Sequence, residues 1–216
     1  MELKKLYQNR FTSQERTGKN RIWRVLCQDF FQSHIGADDT VLDLAAGYCE
    51  FINNIMCKRK LAVDLNPDTR FFAGHDVEVI IESCLAMPSI NDASVNVVFI
   101  SNFLEHCKNK EEVLGVLKEV HRVLKKGGSL MILQPNIRFL AANYWDFFDH
   151  HTALSDRSLK EALEMIGFSI KQCYPKFLPY TTKSKLPKSL LLLRLYLKLP
   201  AIWRVFGRQC FIVAIK

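Results

Sequence analysis

Two short apolar runs, each closing on a carboxylate, constrain this chain more than any other feature: Val41-Leu42-Asp43-Leu44 and Leu61-Ala62-Val63-Asp64. Between them, Ala45-Ala46-Gly47 keeps a turn clear enough for the backbone to approach a ligand. The order reads as strand, turn, helix, strand, which is a nucleotide-binding α/β half. It puts Asp43 and Asp64 at the carboxyl ends of neighbouring parallel strands, where open sheets of this kind bind ligands. Asp64 can accept from both hydroxyls of a ribose. Asp43 has two open readings, one at a ligand and one as a cap on the amides of its own turn.

These residues resemble the class I S-adenosylmethionine-dependent methyltransferases, whose first motif is an acid followed by a glycine-rich turn. Ser94-Val95-Asn96-Val97-Val98-Phe99-Ile100-Ser101-Asn102-Phe103-Leu104-Glu105-His106 resembles that family's fourth strand with its trailing "LEH". Glu119–Leu133 resembles the helix, glycine turn and fifth strand, with Gly127 and Gly128 expected to stop the helix. Four ordered matches over 40–135 make a specific signal. The family commonly has glycine where this chain has Ala45 and Cys49. A nicotinamide-binding G-x-G-x-x-G turn would need glycine at 49 and a small residue at 52, and Cys49 and Ile52 disagree with it.

The resemblance implies an α/β fold: a Rossmann-like, seven-stranded, mostly parallel sheet with an antiparallel last strand, in three α/β/α layers. It implies S-adenosylmethionine as cofactor and S-adenosylhomocysteine as product. Asp43, Ala45 and Gly47 then fall at the methionine end, Asp64 at the ribose and Leu65 beside the adenine. Ser83 and Cys84 lie in the adenine-edge segment, where the family usually has Asp at the position of Ser83. Ser101 and Asn102 end the fourth strand as further cofactor-binding candidates. They stand where a metal-dependent methyltransferase would cluster acids, so no metal is expected.

A chain of 216 residues suits one domain. It divides into a helical cap at 1–35 (Tyr7, Phe11, Ile22, Trp23, Leu26, Phe30 and Phe31 at helical intervals), a cofactor core at 40–135, an acceptor loop at 135–158, and an insertion at 175–209. Strands are expected near 40–44, 60–64, 77–81, 95–101, 129–134, 168–174 and 211–215, with a helix at about 156–166 between Ser155 or Asp156 and Gly167. Seven scattered cysteines, odd in number and without a C-x-x-C pair, point to reduced thiols in a cytoplasm.

The net charge of +8 belongs to the carboxyl-terminal quarter. No acid follows Glu164, and residues 1–164 hold twenty basic against twenty-two acidic side chains. The segment Pro187–Leu199 reads as a helix with Arg194 and Lys198 on one face and leucines over most of the rest. One reading packs it on the core or a partner subunit. The other lays it on an anionic membrane surface or a lipid-linked substrate, a better fit than nucleic acid for so leucine-rich a tail.

Methyl transfer to a hydroxyl gains from a base, and histidine is the usual one at neutral pH. His150 and His151 are the candidates, with Asp149 placed to orient His150; His106 reads as a wall of the cofactor pocket. Tyr144–His151 and Phe177-Leu178-Pro179-Tyr180 resemble bacterial methyltransferases of glycolipid and surface-polysaccharide assembly. The implied activity is methyl transfer to a hydroxyl or amine of a small molecule or lipid-linked sugar, in the cytoplasm or peripherally at the inner membrane face. The alternative is an inactive cofactor-binding subunit that acts through its carboxyl-terminal surface, permitted by Cys49 and Ser83.

Overall fold

The apolar runs do become strands, because β-branched and aromatic side chains buried on both faces suit a covered parallel sheet. The computed structural model describes residues 13–180 and 189–216. Its strands are β1 (Thr40–Leu44), β2 (Arg59–Val63), β3 (Val77–Ile80), β4 (Val95–Ser101), β5 (Leu124–Pro135), β6 (Ser169–Tyr174) and β7 (Gln209–Ile215). They form one sheet in the order β3-β2-β1-β4-β5-β7-β6. Only β7 is reversed, running antiparallel to both β5 and β6. Asp43 is in register with Ala62 on β2 and Phe99 on β4, so the carboxyl ends of the three strands lie together.

Helices α1 (Ser13–Asp29), α2 (Lys110–Val123), α3 (Asp156–Ile166), α4 (Leu190–Lys198) and α5 (Pro200–Phe206) cover the two faces. Leu42, Leu44, Val98 and Ile132 share one core with Val116 and Val120 of α2 and Leu159 and Leu163 of α3. Val41, Phe99, Met131 and Phe211 share the other with Trp23 and Leu26 of α1, Leu197 of α4 and Trp203 of α5. Phe51 stacks on Phe99 at 3.8 Å, and Phe30 lies 4.3 Å from Phe177. This is the expected three-layer arrangement. Tyr7 and Phe11 of the expected cap lie outside the described residues.

Local chemistry sets the helix ends. Asn109 caps α2 by accepting from the Glu112 amide at 2.9 Å. Ser155 and Ser158 form a capping box on α3, and Gly167 ends it in the left-handed conformation at φ 107°.

Two expectations need correction. The connection from β1 to β2 holds no α-helix, only the 3-10 turn Ile52–Asn54. Its asparagines are occupied instead: Asn53 bonds Phe72 O and the Gly74 amide, both at 2.8 Å, and Asn54 bonds Glu50 O. Such bonds offer the backbone an alternative to the helix. Nor do Gly127 and Gly128 stop α2, which ends at Leu124 in extended backbone. The glycines sit within β5, where the pairing with β4 shifts register and Gly127 takes φ 77°.

The insertion after β6 forms a helix pair broken at Leu199 and Pro200. Arg194 reaches Asp29 of α1 at 3.1 Å. Leu197 and Trp203 are buried, while Leu191, Leu192, Leu195, Leu199, Val205 and Phe206 are exposed. Pro187 and Lys188 lie outside the described residues. All seven cysteines are free thiols. No helix among the described residues is long and apolar enough to cross a membrane.

Candidate active site

The turn after β1 keeps the backbone of a three-glycine loop although only one glycine is present. Ala45, Gly47 and Cys49 take φ of 57°, 52° and 59°. Left-handed backbone costs about 1 kcal/mol for a residue with a Cβ, which explains why glycine is common at 45 and 49. The Gly47 amide donates to Asp64 Oδ2 at 2.7 Å, and Asp64 Oδ1 accepts from the Asn66 amide at 2.8 Å. Asp64 therefore ties the first turn to the second. Leu65, the next residue, is exposed on the rim.

Asp43 is 4% exposed. Burial lifts its carboxyl well above the usual range; a hydrogen bond from the Ile52 amide opposes the shift, and the charges of Glu50 and Asp64 add to it. Burial raises Asp64 too, against the amides of Asn66, Gly47 and Leu65. Burial thus disfavours the charged form of both carboxyls, and a cation placed beside them would favour it.

The Ser83–Met87 segment is fixed by contacts of its own and by α2. Ser83 Oγ accepts from the Leu85 amide at 3.2 Å, and Cys84 is buried with its thiol pushed up to about 12, mainly by burial and then by Asp64. Glu119 on α2 accepts from the Met87 amide at 2.6 Å, while Arg122 bonds Met87 O, Ile90 O and Asp92. At the end of β4, Asn102 takes φ 49° and donates to Ser101 Oγ at 2.9 Å. Its buried Oδ1 has no partner among the described residues.

The loop from Ala141 to Thr152 folds back over the strand end after β4. His151 and Thr152 donate their amides to Glu105 O at 2.8 and 3.1 Å, and Tyr144 Oη donates to Thr152 O at 2.6 Å. This brings His150 to Glu105, with Nε2 4.0 Å from Oε1. His150 is buried, stacks on Phe147, and shares a 2.6 Å hydrogen bond between Nδ1 and Tyr144 O.

Asp149 reaches His106, through its carbonyl at 2.8 Å and its carboxylate at 3.3 Å. His106 Nε2 lies 4.0 Å from the same Glu105 Oε1, so His106 joins the cluster. His151 does not join it: its ring is exposed and only its backbone meets Glu105. The sequence reading missed Glu105 as a site residue. Its burial at 1% exposure, with Gln134 donating to Oε2 at 2.9 Å, is what singles it out.

Residues 42–132 match the family described as "Methyltransferase domain". The matched stretch, which is less than half of the chain, is similar to that family. A SAM-dependent methyltransferase from Archaeoglobus fulgidus shares the fold at a TM-score of 0.67 and 19% identity, over 91% of this chain and 94% of that one. A Haloferax volcanii structure, a methyltransferase complexed with the Trm112 methyltransferase activator, matches at 0.66 and 17%, over 93% and 92%. The [4+2]-cyclase SpnF matches at 0.62 and 16%, over 91% and 80%. At such identities the likeness concerns fold alone, and the cyclase shows that fold does not fix the reaction. No curated protein matches the sequence.

The residues gathered here fit S-adenosylmethionine, the cofactor that the resemblance implies. The left-handed turn leaves open space at Gly47, where an added Cβ would meet nothing within 4 Å. Asp43 and Asp64 suit a ligand that bears a sulfonium and an ammonium, and the buried Asn102 Oδ1 can accept from the latter.

Proposed function

We propose that this protein is an S-adenosylmethionine-dependent methyltransferase that acts on a hydroxyl or amine of a small molecule or lipid-linked sugar seated under the Ala141–Thr152 loop. One observation carries the reading: the turn Ala45–Cys49 is held in left-handed backbone and clamped by Gly47 to Asp64, the residue suited to a ribose. When bound, S-adenosylmethionine supplies an electrophilic methyl on a sulfonium. Asp43 and Asn102 hold its amino-acid end, Asp64 its ribose, and Leu65 with the Ser83–Cys84 segment its adenine. Trp145 and Phe148 stand exposed on the loop as the rim of an acceptor site.

Proton removal falls to the cluster beneath that rim. A carbonyl only accepts, so the 2.6 Å contact to Tyr144 O places the hydrogen of His150 on Nδ1 and leaves Nε2 as the basic nitrogen. The loop also excludes water, since His150, Thr152 and Leu154 are buried beneath it.

The exposed apolar face of α4 and α5, beside Arg194, Lys198, Arg204 and Arg208, supports an acceptor carried at an anionic membrane surface. The test is calorimetry with S-adenosylhomocysteine, then turnover on a panel of free and lipid-linked sugars. Asp64→Ala should weaken cofactor binding by about 1–3 kcal/mol through loss of charge-assisted bonds. Unchanged affinity would remove Asp64 from the ribose, and tighter binding of a nicotinamide dinucleotide would overturn the reading.

A further inference from the structure

Glu105, His106 and His150 offer one carboxylate oxygen and two imidazole nitrogens within 4.8 Å of one another. Each ring is fixed through its far nitrogen: His106 Nδ1 lies 2.8 Å from Asp149 O, and His150 Nδ1 lies 2.6 Å from Tyr144 O. Because a carbonyl can only accept, both rings carry hydrogen on Nδ1, and a neutral ring then presents a lone pair at Nε2. Both Nε2 atoms stand 4.0 Å from the same Glu105 Oε1. That is too long for a hydrogen bond. Three electron-pair donors thus converge on one point.

The groups behind them complete the pattern. Gln134 donates to Glu105 Oε2 at 2.9 Å, which orients the carboxylate so that Oε1 faces the histidines. Gln134 itself is fully buried, and its Oε1 has no partner among the described residues. Histidines that ligate metals characteristically donate their other N–H to a carbonyl or carboxylate, and ligating carboxylates are themselves hydrogen-bonded. The amides of His151 and Thr152 lock the loop onto Glu105 O, so the spacing is set by the fold.

We infer that Glu105, His106 and His150 bind a divalent transition-metal ion. Two imidazoles and one carboxylate suit zinc, manganese or iron(II) rather than calcium or magnesium, and three protein ligands leave positions open. Donors around a tetrahedral zinc lie about 3.4 Å apart, given bonds of about 2.0–2.1 Å, so each Glu105–histidine pair closes by about 0.6 Å on binding. His106 has the most solvated side chain of the three, at 23%. Resting on the methyl-transfer reading, the ion's use is to take the acceptor's oxygen as a ligand. Coordination lowers the acceptor's proton affinity, and the proton leaves to solvent. The cluster then activates the acceptor by coordination rather than through His150 alone.

The full-length protein, stripped with a chelator, is titrated with Co²⁺ while its visible d–d bands are followed, and Zn²⁺ and Mn²⁺ are counted by elemental analysis after dialysis. One equivalent is expected in the wild type, with at least a tenfold weaker Kd in Glu105→Gln and His106→Gln and no change in His75→Gln, whose residue is exposed and remote in sequence. Calorimetry with S-adenosylhomocysteine on each variant shows that the fold and cofactor site survive. Retention of less than a tenth of an equivalent of any of the three ions, or equal binding by wild type and Glu105→Gln, overturns the site. If cofactor binding persists in that case, His150 returns as the base and the methyltransferase reading stands. Loss of cofactor binding in the wild type would sink that reading instead.

Discussion

Replacing Asp43 with asparagine should make the cofactor-free protein more stable and the cofactor site weaker. The carboxyl is 4% exposed, has Glu50 and Asp64 as like-charged neighbours, and accepts a hydrogen bond from Ile52 that offsets only part of its desolvation. Asparagine keeps the acceptor oxygen for Ile52 and removes the charge. Relief of a poorly compensated buried group is about 1–3 kcal/mol, less about 1 kcal/mol for the new N–H donors. The net gain is up to about 2 kcal/mol, and at about 2–4 °C per kcal/mol for a chain of this length Tm rises by up to roughly 8 °C at pH 7. The sign with pH follows from linkage. A carboxyl whose folded pKa is raised holds its proton more tightly folded than unfolded, so stability is greatest below about 3.8 and declines as pH climbs through the folded value. Thermal melts from pH 4 to 8 without cofactor should show that decline in the wild type. It should be shallower in Asp43→Asn, the remainder coming from Asp64 and Glu105, which burial also raises. Titration with S-adenosylmethionine should show reduced affinity in the variant. A lower Tm at pH 7 with an unchanged pH slope would refute the reasoning and make Asp43 a stabilising cap for its own turn.

Ala45→Gly should be close to neutral in urea unfolding, because relief of about 1 kcal/mol of left-handed strain is offset by about 0.5–1 kcal/mol of added chain entropy. Ala45→Val, β-branched at φ 57°, should lose about 2 kcal/mol or more, and equal stability of the two variants would contradict the turn geometry. Leu191→Glu with Leu195→Glu should abolish sedimentation with anionic vesicles while leaving Tm within a few degrees. Equal partitioning of the wild type onto neutral and anionic vesicles would leave this face to a protein partner or to solvent.

The strands were legible because their information is local: a run such as Val95–Ser101 is apolar enough to have one reading. So was α3, whose serine box and terminal glycine are contiguous signals. The missing helix between β1 and β2 was hidden because its replacement depends on Asn53 reaching Phe72 and Gly74, partners set by tertiary structure. Asp43 and Asp64 stood out as strand-end acids, yet nothing local shows that Asp64 would tie down Gly47. Glu105 and His150 lie 45 positions apart and meet only through the fold-back of the loop. Adjacency in sequence gave no sign that Asp149 reaches His106, 43 positions away.

The position of β7 has a consequence for synthesis. It is the last of the seven described strands to be made, yet it lies between β5 and β6, and among the described residues β6 joins the sheet through β7. On a ribosome, β6 would therefore wait for a partner, and the edge of β5 would stay open, until residues 209–215 emerge. The aromatic contacts of Phe211 with Phe30, Phe31 and Phe177 close at the same late moment. Nascent chains stalled before residue 209 would present an unpaired strand edge and bare aromatic rings together, the combination that holdase chaperones recognise.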